Sequence, residues 1–199
     1  DEYYQMDQQL LLTRRKISKI VRKPEYVLKF LQAPGRFLDV TIDGNAYGWG
    51  VLASCKKKNG SGSGGDAGRL ASLTNPAEYT LEILLNCVDR HFDSKGKGAE
   101  EDAENSSLLW RGATQTCRPA TGDDEKRIVS MRLFTVGLTS IDRLSAVRIF
   151  IPQDVTTPEA RNKVAMSVKE VEKRFPEGIP LLDPIGDLGI KDEAFQTHL

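Results

Sequence analysis

Apolar residues change their spacing twice along this chain. From Tyr3 to about Val21, good helix formers surround Met6, Leu10, Ile17, Ile20 and Val21, and Pro24 closes the segment, which predicts a long, partly amphipathic helix. From Phe37 the pattern turns β-like, with an alternating run through Phe37, Leu38, Val40 and Ile42. After residue 155 helical spacing returns: Val164, Val168, Val171 and Phe175 recur at intervals of four, three and four. Thr156-Thr157-Pro158-Glu159 precedes them with an N-cap candidate, a first-turn proline and a capping-box glutamate. The stripe is narrow, as in a two-helix coiled coil. The pattern therefore predicts an α+β chain in which an antiparallel two-helix stalk carries a β-rich middle at its tip.

The middle holds turn chemistry at the expected places. Pro34-Gly35 combines a fixed φ with a residue that tolerates positive φ, a tight turn that launches the Phe37 strand. Gly48-Trp49-Gly50 marks a second strand, joined to the first around Asp43-Gly44-Asn45. Tyr79, Leu81, Ile83 and Leu85 alternate with Thr80, Glu82 and Leu84, and Ile128 to Val136 and Val147 to Ile151 add β-branched runs. About five short strands are expected, the size of a small barrel. Two polar inserts, about 56–77 with its Gly-Ser run and about 93–126, bury too little apolar surface to offset ordering entropy and read as mobile loops. The expected division is stalk helix 1 over 1–29, barrel over 30–155, and stalk helix 2 with a return segment over 156–199.

Composition narrows the function. The 199 residues carry 28 basic and 28 acidic side chains, so the chain as a whole lacks the basic excess of a strong phosphate-backbone binder. Cys55, Cys87 and Cys117 are odd in number and widely spaced, which favours a reducing compartment over a disulfide scaffold or zinc ribbon. No apolar run approaches a membrane span, Asp1-Glu2-Tyr3-Tyr4 is no signal peptide, and the abrupt start inside a helix reads as a piece of something longer. Monomer is the default for such a module. Catalytic constellations are missing: His91 and His198 have no nucleophile at recognisable spacing. Gly96-Lys97-Gly98 lacks both the glycine spacing and the Ser or Thr of a P-loop. No cofactor or metal is expected in this chain.

Several residues admit two readings. Arg14-Arg15-Lys16 with Lys19, Arg22 and Lys23 is a solvated helix face or a weak phosphate contact, and Lys56-Lys57-Lys58 would sample RNA from a loop in a salt-sensitive way. Trp49 reads as core packing, with a stacking platform as the alternative, and Trp110 anchors its insert either on the barrel or on a partner. Cys87 reads as a buried small hydrophobe. Arg36, Glu82 and Arg148 each place a charge where strand packing would not ask for one. On pattern alone they form intramolecular ion pairs.

The turn Phe30-Leu31-Gln32-Ala33-Pro34-Gly35-Arg36, the Gly48-Trp49-Gly50 strand, the run Ser145 to Pro152 and the run Lys173 to Pro184 occur in one order over about Tyr3 to Phe195. In these features the chain resembles the arch, a stalk bearing a KOW domain, of the nuclear RNA-exosome DExH-box helicases of the TRAMP complex. The resemblance implies a nuclear location. It also implies an ATP-dependent RNA helicase in the full-length protein, with ATP and Mg bound outside this piece. It implies that Arg36, Glu82 and Arg148 help to form a KOW surface that receives adaptors carrying a Leu-Phe-x-x-Asp-type motif. The nearby apolar side chains Phe37, Leu38 and Phe150 are candidates to line the groove, although alternation alone does not say which face each occupies. The alternatives are an RNA-binding KOW module that guides structured RNA through Arg15, Lys19, Arg22 and Lys56 to Lys58, and the arch of a diverged paralogue with a different adaptor set.

Overall fold

A proline both ends the first helix and starts the second. In the structure, a computed structural model that describes residues 2–58, 75–89, 117–120 and 129–191, α1 spans Glu2–Val21 and α2 spans Pro24–Leu31. Pro24 sits in the first turn of α2, where its missing N–H costs nothing and its fixed φ is already helical. The sequence pattern showed only the stop. The start it conceals matters, because α2 buries Val27 and Leu31 and delivers Phe30 to the sheet.

Six antiparallel strands follow: β1 (Arg36–Ile42), β2 (Asn45–Lys57), β3 (Tyr79–Asp89), β4 (Cys117–Pro119), β5 (Val129–Gly137) and β6 (Ile141–Arg148). β6, β1, β2 and β3 pair in that order, and β3 also carries β4 and β5. Asp43 and Gly44, with φ of 50° and 78°, make the two-residue connection between Ile42 and its partner Asn45. Positive φ at both central positions is the geometry that matches strand twist in a tight hairpin.

The sheet buries both faces. Leu38, Leu52, Ile83 and Leu85 belong to one apolar cluster, while their sequence neighbours Phe37, Val51 and Leu84 belong to a second. Strands covered on both sides lose clean alternation and show adjacent apolar residues instead. The first cluster is closed by Ile20 and Val21 at the end of α1 and by α2. The second is covered by α3 (Pro158–Arg174) through Val164 and Val168, with Ile151, Val155 and Ile179. The whole is α+β, a small curled β-barrel domain with helices.

Four local expectations change. The valine stripe of α3 packs on the sheet, sharing its cluster with Phe37, Leu84 and Met131, and not on α1, whose buried residues lie in the other cluster. The strand expected at Val147 to Ile151 runs instead from Ile141 to Arg148, because Ile151 leaves the ladder to pack under α3. β2 continues through Lys57, past the expected start of the first insert, and β4 forms within the second. The α3 cap is Thr157, whose hydroxyl accepts from Ala160 N at 3.3 Å, so Glu159 lies one position short of a capping box. Among the described residues no helix is long and apolar enough to cross a membrane.

Candidate functional site

Gly35 fixes one end of the sheet. Its φ is +90°, and a Cβ there would lie 1.9 Å from the Ile149 carbonyl oxygen, so no other residue fits without backbone movement. Its N–H donates to Leu52 O at 2.7 Å and its carbonyl accepts from Ile149 N at 2.9 Å, which clamps the start of β1 between β2 and the end of β6. Arg36 and Arg148 are then direct cross-strand partners. Like charges in that relation repel.

Arg36 is only 8% exposed. Its Nε donates to Phe30 O at 2.9 Å and its Nη1 to Ser145 O at 2.8 Å, and the guanidinium carbon lies 5.2 Å from the Phe30 ring centroid. Three of the five N–H donors of a guanidinium are left over. Among the described residues Nη2 has no hydrogen-bond partner, and it is not among the fully buried side-chain nitrogens. Burial, and then the charge of Arg148, lower the Arg36 pKa, with partial compensation from Asp187. Arg148 is exposed, and its Nη2 donates to Pro34 O at 3.2 Å. No salt bridge reaches either arginine among the described residues. Phe150, two positions beyond Arg148, is 93% exposed. The arrangement offers cationic N–H donors, with an exposed apolar side chain two residues further along the chain, a combination suited to a carboxylate flanked by hydrophobic groups.

Glu82 stands apart from the arginines. Its carboxylate accepts from the Ser54 hydroxyl and from Lys56 Nζ at 2.9 Å, and it makes no contact with Arg36 or Arg148. Burial alone would raise the Glu82 pKa, but these two donors outweigh it and hold the carboxyl below the usual range. Phe37 is fully buried in the cluster under α3, so it supports the sheet end and offers no surface to a ligand.

The proposed RNA contacts also separate. Lys56 pairs with Glu82, Lys57 approaches Glu78 at 3.7 Å, and both lie on β2 and not on a loop, while Lys58 N donates to Glu78 O. Arg22, the residue after α1, bonds Ile141 O and pairs with Asp142 at 2.6 Å, tying the α1–α2 connection to β6. Arg15 and Lys19 are exposed on α1.

The pattern missed two arrangements. Trp49 is half-buried against the second cluster, with Arg143 stacked over its ring at 5.3 Å and paired to Asp39 at 2.7 Å, in one rung across β2, β1 and β6. Phe30 and Ser145 hold Arg36, although both lie in the quoted motifs; their carbonyls carry no sequence signal. Cys87 is buried, and its hydrogen bond with Cys117 and then burial raise its pKa. Trp110, His91 and His198 lie outside the described residues. Among the described residues no group of three or more His, Cys, Asp or Glu could hold a metal ion.

Residues 23–199 match the family model of the Mtr4-like, beta-barrel domain. The chain is 36% identical over 194 residues to exosome RNA helicase MTR4 of Homo sapiens, an alignment that covers 98% of this chain and 16% of the human protein. It is 27% identical over 191 residues to the DExH-box ATP-dependent RNA helicase DExH10 of Arabidopsis thaliana, covering 96% of this chain and 16% of that protein. Against ATP-dependent RNA helicase mtr4 of Schizosaccharomyces pombe, identity is 25% over 196 residues, covering 98% of this chain and 16% of that protein. The chain thus spans about a sixth of the length of these curated relatives. With the family model spanning barrel and α3 alike, this chain belongs to the Mtr4-like β-barrel domain family.

Proposed function

We propose that this chain is the adaptor-docking arch of a nuclear, exosome-associated ATP-dependent RNA helicase of the TRAMP type, binding short acidic-apolar motifs of the Leu-Phe-x-x-Asp kind. One observation carries the reading: Arg36 and Arg148 face each other across β1 and β6 with only carbonyls as hydrogen-bond partners, and Phe150, two residues beyond Arg148 in the chain, is 93% exposed. A peptide carboxylate would relieve the repulsion of two neighbouring cations and complete their hydrogen bonding. An apolar residue of the same peptide would cover Phe150. Glu82, on β3, has its charge met by Ser54 and Lys56 and stands outside this site.

Relatives named as exosome RNA helicases support the wider setting. In that setting the full-length protein binds ATP and Mg elsewhere, unwinds RNA and feeds it onward, while this domain selects adaptors and performs no chemistry. A short peptide loses conformational freedom on binding, so the affinity is moderate and the adaptors exchange.

The test is a fluorescence titration of the chain with a Leu-Phe-x-x-Asp peptide and with its Asp→Asn form, alongside a structured RNA at two salt concentrations. The reading predicts saturable binding of the first peptide and at least about tenfold weaker binding of the second. Equal binding of both peptides, or RNA binding alone with a steep salt dependence, would overturn it.

A further inference from the structure

We infer that Phe30 is the positioning residue of this docking site, the group that aims the Arg36 guanidinium; the inference rests on the docking reading above. Phe30 lies in the last turn of α2, six residues before Arg36, and the intervening Pro34-Gly35 turn folds the two back together. It acts on Arg36 twice. Its carbonyl accepts the Nε–H at 2.9 Å, and its ring lies 5.2 Å from the guanidinium carbon. Lys29 contributes a second cation to the same ring, with its ammonium 4.9 Å from the centroid, and Lys29 Nζ is itself held by the carbonyls of Asp187 and Leu188. The ring therefore bears two cations, one of them in the docking site.

Physical reasoning explains why such a group is needed. Arg36 is repelled by Arg148 and loses solvation through burial, and both effects favour a guanidinium that swings outward. An aromatic face and two carbonyls counter that tendency and leave Nη2 without a hydrogen-bond partner among the described residues. A side chain held in its binding geometry loses less conformational freedom when the ligand arrives. The carbonyl bond survives any substitution at residue 30, because it belongs to the backbone. The ring contact does not, so the aromatic contribution can be removed alone.

The experiment compares the wild-type chain with Phe30→Leu and Phe30→Tyr. Leucine retains apolar volume in this half-buried position but has no π face; tyrosine retains the face. Two quantities are read: the order of the Arg36 Nε–H resonance in the free chain by 15N relaxation, and affinity for the Leu-Phe-x-x-Asp peptide. Expected for Phe30→Leu is a mobile Nε–H and about tenfold weaker peptide binding, with near-wild-type values for Phe30→Tyr. In an Arg36→Ala background, Phe30→Leu should cost nothing further, as a residue acting only through Arg36 requires. An ordered Nε–H and unchanged affinity in Phe30→Leu would overturn the inference, and so would an equal loss in the Arg36→Ala background. Failure of the wild-type chain to bind the peptide would instead overturn the docking reading. Positioning would then be judged on the resonance alone, upheld by order in wild type and Phe30→Tyr with mobility in Phe30→Leu, and overturned by equal mobility in all three.

Discussion

Two charged places on one sheet differ in how far their neighbours satisfy them. On β3, Glu82 accepts from a hydroxyl on β2 and an ammonium two residues further along it, so its charge is matched within the fold. At the end of β1 and β6, Arg36 and Arg148 have only carbonyls as hydrogen-bond partners and face a like charge. Both places look alike in sequence, a single charge inside an apolar strand. The difference lies across the strands, where a cation pair keeps spare donors and no salt bridge among the described residues.

Reversing the exposed arginine should break this contrast most sharply. Arg148→Glu would pair internally with Arg36 and repel an acidic peptide, so affinity should fall at least about a hundredfold, roughly 3 kcal/mol, in the same titration. Because Arg148 is exposed, the melting temperature should move little.

Next in size is Gly35→Ala, which forces a Cβ against Ile149 O at a positive φ. A loss of about 2–3 kcal/mol in denaturant unfolding is expected, with weaker peptide binding because the clamp that aligns the two arginines is disturbed. A stable Gly35→Ala chain that binds normally would show that the clamp does not set the site.

Removing Arg36 itself leaves the Phe30 and Ser145 carbonyls without their donor. Arg36→Ala should therefore cost about 1–2 kcal/mol of stability as well as affinity, whereas Arg148→Ala should cost affinity alone.

The smallest effect belongs to the satisfied place. Glu82→Gln should change peptide affinity less than about threefold, against the hundredfold of Arg148→Glu. Its clearer signature is in pH. The Glu82 carboxyl is held lower in the folded chain than its unfolded value of about 4.3, so its contribution to stability is present above that value and is lost as pH falls through the folded pKa. Urea midpoints measured from pH 6 to pH 3 should decline less in Glu82→Gln than in wild type.

The ease with which this fold could be read depended on what enforces each element. Turns were legible because geometry allows few residues there: Gly35 at φ +90° and the Asp43-Gly44 pair announce themselves. The α3 stripe was legible as a helix, but its partner was not, since Val164 and Val168 look the same whether they meet a helix or a sheet. Doubled apolar residues such as Phe37-Leu38 and Val51-Leu52 carried the missing information, because only a sheet covered on both faces needs them. At the site, the charges of Arg36, Glu82 and Arg148 were visible as breaks in apolar runs. Their division into a salt-bridged acid and a cation pair without a salt bridge was invisible, because it depends on cross-strand register and on the backbone carbonyls of Phe30, Ser145 and Pro34. Phe37 shows the converse: adjacency to Arg36 placed it near the groove, while strand geometry turned it into the core.

The most direct test of the central claim is a charge-swap titration. The Arg148→Glu chain is measured against the Leu-Phe-x-x-Asp peptide and against the same peptide with its Asp replaced by Lys, beside the wild-type chain with both. Direct pairing predicts that the wild-type chain prefers the acidic peptide and that Arg148→Glu reverses the preference, with the Lys peptide recovering at least about tenfold of the lost affinity. If Arg148→Glu weakens neither peptide, or weakens both equally on an intact fold, the arginine pair does not receive the acid and the account is contradicted.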